Sequence, residues 1–277
     1  MNEKLVENHF KFGENWEKLV ATISDDGLRS AIEDLSGFLG TDTLQGKSFL
    51  DIGCGSGLHS LAAYKMGASS IISLDIDPKN VTNVQNIKRK FQVPSTAAWT
   101  EGLLSIVEAD QVKKLKPADI VYSWGVLHHT GDMWNAIRNA ASLVKPGGQF
   151  YIMLYRDSHL AGMWKFIKRV YTFSPSPVQF LLRILYAGML LTALALSGRN
   201  PARVVRDYGK KMRGMTWYVD VVDWLGGYPF EYCSAEECID FLKPMGFKLT
   251  KIYPEISPRQ LGLKGTGSYT FLFERAK

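Results

Sequence analysis

Short apolar runs alternate with amphipathic stretches along residues 46–155, and this alternation is the main structural signal in the chain. Short apolar runs are typical of buried strands, whereas apolar positions three and four residues apart are typical of helices. The pattern predicts five strands, the third being the weakest, at 47–53, 70–75, 98–106, 119–123 and 149–155. It predicts the intervening helices at 56–66, 78–90 and 133–143. Strands and helices in alternation indicate a parallel sheet with right-handed crossovers.

The C-terminal part resumes this pattern but ends differently. Ser234–Glu237 has the sequence of a capping box, so we expect a helix from there to about Met245. Two strands follow at 247–253 and 268–273, and their short connection permits only an antiparallel pair. The predicted fold is therefore α/β, with a mostly parallel seven-stranded sheet and one antiparallel strand at its C-terminal end.

Two segments lie outside this sheet. Residues 1–45 read as a helical N-terminal cap, in which Phe10, Phe12, Trp16 and Leu19 have roughly helical spacing. Residues 156–232 interrupt the sheet before its last two strands. Because ligands of open α/β sheets bind beyond the carboxyl ends of the strands, we expect this insertion to form a substrate lid. The sheet domain itself would comprise 46–155 and 233–277.

Composition agrees with a folded globular protein, since 46% of the residues are apolar and 22% are charged. The N-terminus has no pattern of a secretory signal, and the three cysteines have no metal or redox spacing, so we expect a cytoplasmic location, reduced thiols and no metal. The net charge of +6 comes from the insertion, which holds eleven Lys/Arg against five Asp/Glu. The remainder of the chain is balanced.

The first strand runs into the glycine-rich turn Asp51–Gly57, which opens a helix. Glycines allow positive φ and a close approach of a ligand, and the helix N-terminus attracts a carboxylate. A dinucleotide fingerprint would need its third glycine at position 58, which is Leu58. Asp51 could bind an ammonium group but would repel a pyrophosphate, and Asp75 ends the second strand where an acid meets ribose hydroxyls. These residues predict a ligand with a ribose and an amino-acid tail.

Three segments together resemble the class I methyltransferases that use S-adenosylmethionine (SAM). Residues 51–57 match the first motif of that family, 74–77 its ribose-binding strand end, and 122–129 its fourth-strand motif. The resemblance covers about 46–155 and 233–277, and the helical cap is similar to that of ubiquinone-type and other small-molecule methyltransferases. It implies a Rossmann-like fold and SAM as the cofactor.

The resemblance also implies which residues hold SAM. The glycine turn would line the methionine part, Asp75 the ribose, the third-strand end the adenine, and the fourth-strand end the sulfonium. Trp16 and Phe12 could close over the cofactor from the cap. The implied set is Asp51, Gly53, Cys54, Gly55, Gly57, Asp75, Ile76, Ser105, Ile106, Ser123, Trp124, Gly125 and Trp16.

A sulfonium already activates its methyl group, so the protein chiefly aligns the acceptor, although an oxygen acceptor also needs a base. His128 and His129 follow the fourth strand, and we prefer His128 as the base. The alternative is that one or both cap the next turn or bind no substrate. Candidate substrate residues come from the insertion and its base: Tyr155, Arg156, Tyr228 and Glu231. The aromatic and acidic stretch 215–231 could form a pocket wall or be only a packing segment.

The insertion also contains an apolar run and a basic stripe. Ile184–Gly198 carries no charge over fifteen residues, which is short for a membrane span. A single crossing would also separate the last two strands from their sheet, so we expect no transmembrane helix. Within 178–213 the run could be a buried lid helix, a homodimer contact or an interfacial helix. The stripe consists of Arg199, Arg203, Arg206, Lys210 and Arg213. It suggests an anionic or amphiphilic acceptor or a membrane surface, the alternative being a solvated helix face. Nucleic acid is disfavoured, because aromatic residues are not interleaved with these cations.

The predicted function is a SAM-dependent transfer of a methyl group to a small-molecule acceptor at oxygen. N- or C-methylation, and a SAM-binding protein without transferase activity, remain alternatives. A nicotinamide-dependent oxidoreductase is disfavoured by Leu58 and Asp51. The sequence leaves the identity of the acceptor and the oligomeric state open.

Overall fold

A computed structural model describes residues 13–208, 216–263 and 265–277. Its centre is one seven-stranded sheet in the order β3-β2-β1-β4-β5-β7-β6, in which β7 pairs antiparallel with both neighbours and every other pair is parallel. The predicted fold class is therefore confirmed. The strands are β1 Ser48–Ile52, β2 Ser70–Asp75, β3 Trp99–Leu103, β4 Ala118–Trp124, β5 Val144–Tyr155, β6 Phe247–Tyr253 and β7 Ser268–Arg275.

Helices cover the sheet and fill the insertion. Several begin where the sequence offers a cap: Ser24 accepts a hydrogen bond from Gly27, Asp77 precedes Pro78, and Ser234 and Glu237 form the predicted capping box. The helices with described bounds are α1 Gly13–Thr22, α2 Asp25–Leu39, α3 Leu58–Lys65, α4 Pro78–Lys90, α5 Ala109–Val112, α6 Met133–Ser142, α7 Ala161–Phe173, α8 Ser176–Leu196, α9 Pro201–Arg206, α10 Trp217–Gly226 and α11 Ala235–Leu242.

The sheet is buried on both faces, which explains its near-continuous apolar strands. Successive residues of β1 point to opposite sides, so Phe49 joins the core formed with α1 to α4. Leu50 joins the core formed with α6 and α11. The carboxyl ends of the parallel strands are left open at one edge, and there the insertion lies.

The insertion, residues 156–232, leaves and rejoins the sheet domain at one place. Asp157 donates its backbone N–H to the carbonyl of Cys233, and Cys233 donates to the carbonyl of Tyr155. Its helices α7, α8 and α10 build a separate small core whose buried members are Trp164, Tyr171, Val221, Leu225 and Phe230. The segment is thus packed as a unit, as a lid requires.

Helix α8 differs from the sequence expectation. It has 21 residues, so the argument that the apolar run is too short for a membrane span is wrong: among the described residues, this one helix has the length and composition to cross a bilayer. None of its residues is buried, which also contradicts the alternative of a buried lid helix. The topological argument is unaffected, since β6 and β7, which follow it in the chain, pair with β5 in the same sheet.

Candidate active site

A cavity of about 1580 Å³ lies beyond the carboxyl ends of the parallel strands, between the sheet and the insertion. It exceeds the 300–1,000 Å³ range of ordinary small-molecule pockets, so it has room for a cofactor and an acceptor together. One wall is built by the ends of β1, β2, β4 and β5, and the other by α8, α9 and α10. Polar groups from both walls converge on the same space.

The glycine turn forms the floor beneath Trp16. Gly53 and Gly55 both line the cavity with positive φ, at 75° and 52°. A Cβ on Gly53 would lie 2.3 Å from Val126, so no side chain fits there. A Cβ on Gly55 would lie 3.3 Å from the Trp16 indole, so Trp16 lies directly over the turn. Phe12, its expected companion, lies outside the described residues.

Asp75 is held firmly at the end of β2. Its Oδ2 accepts the N–H of Gly55 and its Oδ1 accepts the N–H of Asp77, both at 3.0 Å. Burial raises the pKa of the Asp75 carboxyl, while these backbone donors and the Asn80 side chain act in the opposite direction. The carboxylate lies in the cavity wall in a fixed orientation, suited to accept hydrogen bonds from a vicinal diol.

The edge near β3 combines apolar and polar side chains. Ile76, Ser105 and Ile106, which the resemblance assigns to the adenine, line the cavity there. Sequence reasoning missed several neighbours. Asn80 in the first turn of α4 was detectable, because a polar residue there faces the same edge as Asp75. The missed residues of this wall are Leu74, Asp77, Asn80, Leu104, Val107 and Val126.

Asp51 lies behind the turn instead of in the cavity wall. The Ser60 hydroxyl donates to its Oδ2 at 2.6 Å, and Ser60 lies 2.6 Å from Ser73, which accepts from the Trp99 indole. Burial raises the pKa of Asp51 to about 7. The structure therefore gives Asp51 a structural partner and no position among the residues that line the cavity.

Three other residues of the implied cofactor set also lie behind the wall. Cys54 is a buried thiol whose pKa burial raises well above the ordinary value. Gly57 begins α3 and packs against Val84. The Ser123 hydroxyl donates to the carbonyl of Ile52 at 2.9 Å and ties β4 to β1. Its neighbours Trp124 and Gly125 do line the cavity.

The structure places His128 and His129 in different environments. His128 is fully buried and does not line the cavity, and burial lowers its pKa well below the ordinary value, as do the nearby charges of His129 and Lys168. His129 lines the cavity, and its Nδ1 lies 2.7 Å from the carbonyl oxygen of Pro229. Since a carbonyl can only accept, Nδ1 carries the proton in the neutral ring and Nε2 carries the lone pair.

Of the four candidate substrate residues, one lines the cavity and three do not. Tyr155 lines the cavity. Arg156 is buried, donates to Ser257 and stacks on Tyr269. Tyr228 packs against Phe173, and the Glu231 carboxylate accepts the N–H of Met133 at the start of α6. The structure thus gives Arg156, Tyr228 and Glu231 structural contacts outside the cavity lining.

The insertion wall carries polar groups that sequence reasoning missed. The Tyr208 hydroxyl donates to Asp220 at 2.7 Å, and Arg203 lies 3.9 Å from Asp207. The aromatic and acidic stretch 215–231, for which the sequence left a pocket wall or a packing segment open, contributes Trp217, Asp220, Val221, Asp223 and Trp224 to the lining. The missed insertion residues with polar or aromatic side chains are Tyr186, Asn200, Asp207 and Tyr208. Gln260 and Thr266, also missed, line the cavity from outside the insertion.

A buried lysine packs against Trp224, one of the aromatic residues that line the cavity. Lys168 is fully buried, donates to the carbonyl of Trp224 and lies 3.8 Å from the centre of that indole. Burial lowers its pKa well below the ordinary value, while Asp223 and Asp220 act in the opposite direction. This contact joins α7 to α10 behind the cavity.

The cavity residues fit a nucleoside with an amino-acid tail. The cradle at Gly53 is closed to any side chain, Asp75 presents a buried carboxylate, and the flank at Ile76 and Ile106 is apolar. No cluster of metal-ligating side chains occurs within the residues that the structure describes. These features suit SAM, which the glycine turn, Asp75 and the β3 edge would hold.

Comparisons with known proteins agree with this fit. The sequence model of a family described as "Methyltransferase domain" matches residues 25–217. The chain is 28% identical over 141 residues to a ubiquinone biosynthesis O-methyltransferase of Coxiella burnetii, covering 49% of this chain and 55% of the relative. It is 32% identical over 109 residues to a tRNA U34 carboxymethyltransferase of Saccharophagus degradans, covering 39% and 32%. The matches therefore span about a third to a half of these relatives.

Solved structures share the fold. The magnesium protoporphyrin IX methyltransferase of Synechocystis PCC 6803, with bound SAH, superposes with a TM-score of 0.57 at 14% identity, covering 99% of this chain and 100% of the other. A second neighbour, PKMT2 from Rickettsia typhi in complex with AdoHcy, has a TM-score of 0.57 at 15% identity, covering 91% and 53%. With the family match over 25–217, the chain belongs to the methyltransferase-domain family, as a class I SAM-dependent methyltransferase.

Proposed function

We propose that this protein transfers a methyl group from SAM to an oxygen atom of a small-molecule acceptor, with His129 as the general base. The main support for this role is the hydrogen bond between His129 Nδ1 and the Pro229 carbonyl, in the wall of the cavity. It selects the tautomer in which Nε2 can accept a proton. His129 replaces His128 as the preferred candidate, because His128 has no access to the cavity.

In this proposal, different residues of the site bind the cofactor, position the acceptor and accept its proton. SAM supplies, when bound, a methyl group already activated by a sulfonium. Trp124 and Gly125 at the end of β4, together with Tyr155 at the end of β5, surround the space where an acceptor would meet that methyl. His129 would take the hydroxyl proton as the acceptor oxygen gains the methyl group. The remainder of catalysis is alignment and exclusion of water by the lid.

The insertion wall supports an amphiphilic acceptor. Tyr186, Leu190 and Leu194 on α8 and Trp217 and Trp224 on α10 give it a largely apolar surface. Its charged groups are mixed in sign, since Asp207, Asp220 and Asp223 accompany Arg199 and Arg203. A predominantly anionic acceptor has less support than a molecule with an apolar body and a hydroxylated end.

A small molecule also has more support than a nucleic acid. Single-stranded nucleic acids bind where cations alternate with exposed aromatic platforms. The described cations at the mouth, Arg199, Arg203 and Arg206, are interleaved with Val204 and Val205 instead. The free thiols Cys54, Cys233 and Cys238 agree with a reaction in the cytoplasm, which we include in the proposal.

The proposal can be tested with radiolabelled SAM and a panel of acceptors. The panel would contain phenols and catechols with alkyl tails of graded length, matched amines, and unmodified tRNA. We expect transfer to the hydroxylated amphiphiles, and loss of that transfer in His129→Ala with SAM affinity retained. The exposed histidine His159 provides the matched control, His159→Ala. Transfer confined to the amines or to tRNA, or an unchanged rate in His129→Ala, would overturn the proposal.

A further inference from the structure

Helix α8 has two apolar faces, and only one of them is packed. The inner face, with Leu182, Tyr186 and Leu190, packs against the core of the insertion and also lines the cavity. The outer face points away from the protein. Its exposed members are Phe180, Leu181, Ile184, Leu185, Met189 and Leu196, each between 37% and 85% exposed. A contiguous apolar surface of this kind marks an interaction site.

The charges around the outer face are predominantly positive. No Asp or Glu occurs from residue 158 to residue 206, whereas seven Lys or Arg residues do. Arg199, Arg203 and Arg206 are exposed just beyond the end of α8. Lys165 and Arg169 are exposed on α7, the helix that packs against α8 and that also exposes Phe166. The surface therefore combines an apolar stripe with an excess of flanking cations, of which Arg203 and Arg206 lie 3.9 and 3.7 Å from the acid Asp207.

We propose that the outer face of α8 lies on an anionic lipid bilayer, with its axis in the plane of the membrane surface. Apolar side chains at interfacial depth and cations at headgroup level are the two attractions that hold such helices. The packed inner face distinguishes this arrangement from a membrane-spanning one, as does the return of β6 and β7 to the sheet. A second copy of the chain would bring the same cations together and is disfavoured by their repulsion.

This placement gives the acceptor cavity a route to the bilayer. Tyr186, Leu190 and Leu194 line the cavity from the inner face of the same helix whose outer face contacts lipid. An amphiphilic acceptor could then pass around α8 without crossing water. This consequence rests on the proposed function, whereas membrane binding itself does not, so the test below uses neither SAM nor an acceptor.

Vesicle flotation tests the proposal. We expect the purified protein to float with vesicles of phosphatidylcholine and phosphatidylglycerol, to remain unbound with phosphatidylcholine alone, and to dissociate as salt increases. Leu181→Glu with Leu185→Glu should reduce the partition coefficient at least about tenfold. Arg206→Glu should reduce it about thirtyfold, since the reversal changes two unit charges and each one near an anionic surface contributes about fivefold. The matched control is Arg29→Glu on α2, where the side chain is 69% exposed.

A fluorescent probe reports directly how deeply the outer face of α8 enters the bilayer. The three native cysteines are buried, so Leu185→Cys can be labelled selectively with an environment-sensitive nitrobenzoxadiazole dye. We expect a blue shift of its emission on anionic vesicles and none for Arg29→Cys. Equal binding to both kinds of vesicle, or binding unaffected by the α8 variants, would overturn the proposal. So would a solution dimer that the α8 variants dissociate, or a protein that resists extraction from membranes by alkaline carbonate.

Discussion

The imidazole Nδ1 of His129 lies 2.7 Å from the carbonyl oxygen of Pro229, a residue one hundred positions later in the chain. His129 belongs to the turn after β4, and Pro229 belongs to the returning end of the insertion. The hydrogen bond therefore couples the turn after β4 to the insertion. Under the proposed function, the orientation of the base depends on the insertion being closed over the cavity.

Removal of the His129 side chain should lower turnover far more than cofactor binding. A positioned base contributes about 10²- to 10⁴-fold, so we expect kcat of His129→Ala to fall by that order while the Kd for SAM stays within about twofold. Isothermal titration and single-turnover rates measure the two quantities separately. A large loss of SAM affinity in His129→Ala would show that the residue belongs to the cofactor site instead.

Asp75→Asn should weaken SAM binding without unfolding the protein. The amide can accept one backbone N–H but turns its own NH₂ toward the other, which lowers the stability of the free and the bound protein alike, and it loses the charge on which a diol would bind. A hydrogen bond to a charged group contributes about 1.5–3 kcal/mol, so its loss corresponds to roughly a 10- to 150-fold rise in Kd. Asp110→Asn, on an exposed carboxylate, should leave Kd unchanged.

Gly53→Ala should be severely disruptive. The new Cβ would lie 2.3 Å from Val126, and the backbone would have to keep a φ of 75°. Overpacking and positive φ together should lower the free energy of unfolding by at least about 2 kcal/mol and abolish SAM binding. Gly37→Ala is the matched control: it lies within α2 with no atom within 4 Å of the added Cβ, and it should be neutral or stabilising.

Asp51 should make stability fall between acidic and neutral pH. Its pKa is raised by burial from 3.8 to about 7, so the folded state binds a proton more tightly than the unfolded state. The stabilisation by that proton is fully present below pH 3.8 and is lost as pH rises through 7, by about 4 kcal/mol over the whole range. Without SAM, the melting temperature should fall more between pH 5 and pH 7.5 in the wild type than in Asp51→Asn. Equal falls would contradict a raised pKa at this site.

The sequence by itself determined the sheet and its cofactor turn, since both depend on local patterns. Apolar runs, the capping box at Ser234 and the glycines of the turn specify elements over a few residues, and the parallel sheet follows from their order. Position along a strand was enough to predict a residue that lines the cavity, as at Asp75. It was not enough at Asp51 and Ser123, because the direction of the side chain places both behind the cavity wall.

The tertiary structure decided which polar residues reach the cavity. His128 and His129 are adjacent and chemically identical, yet one is sealed in the core while the other lines the cavity, because the turn after β4 points successive side chains in different directions. The same holds for α8. Its composition allowed a buried, dimeric or interfacial helix, and only packing of the inner face against the insertion left the outer face exposed. Local sequence encodes a helix and its apolar surface, but contacts distant in the chain determine what that surface meets.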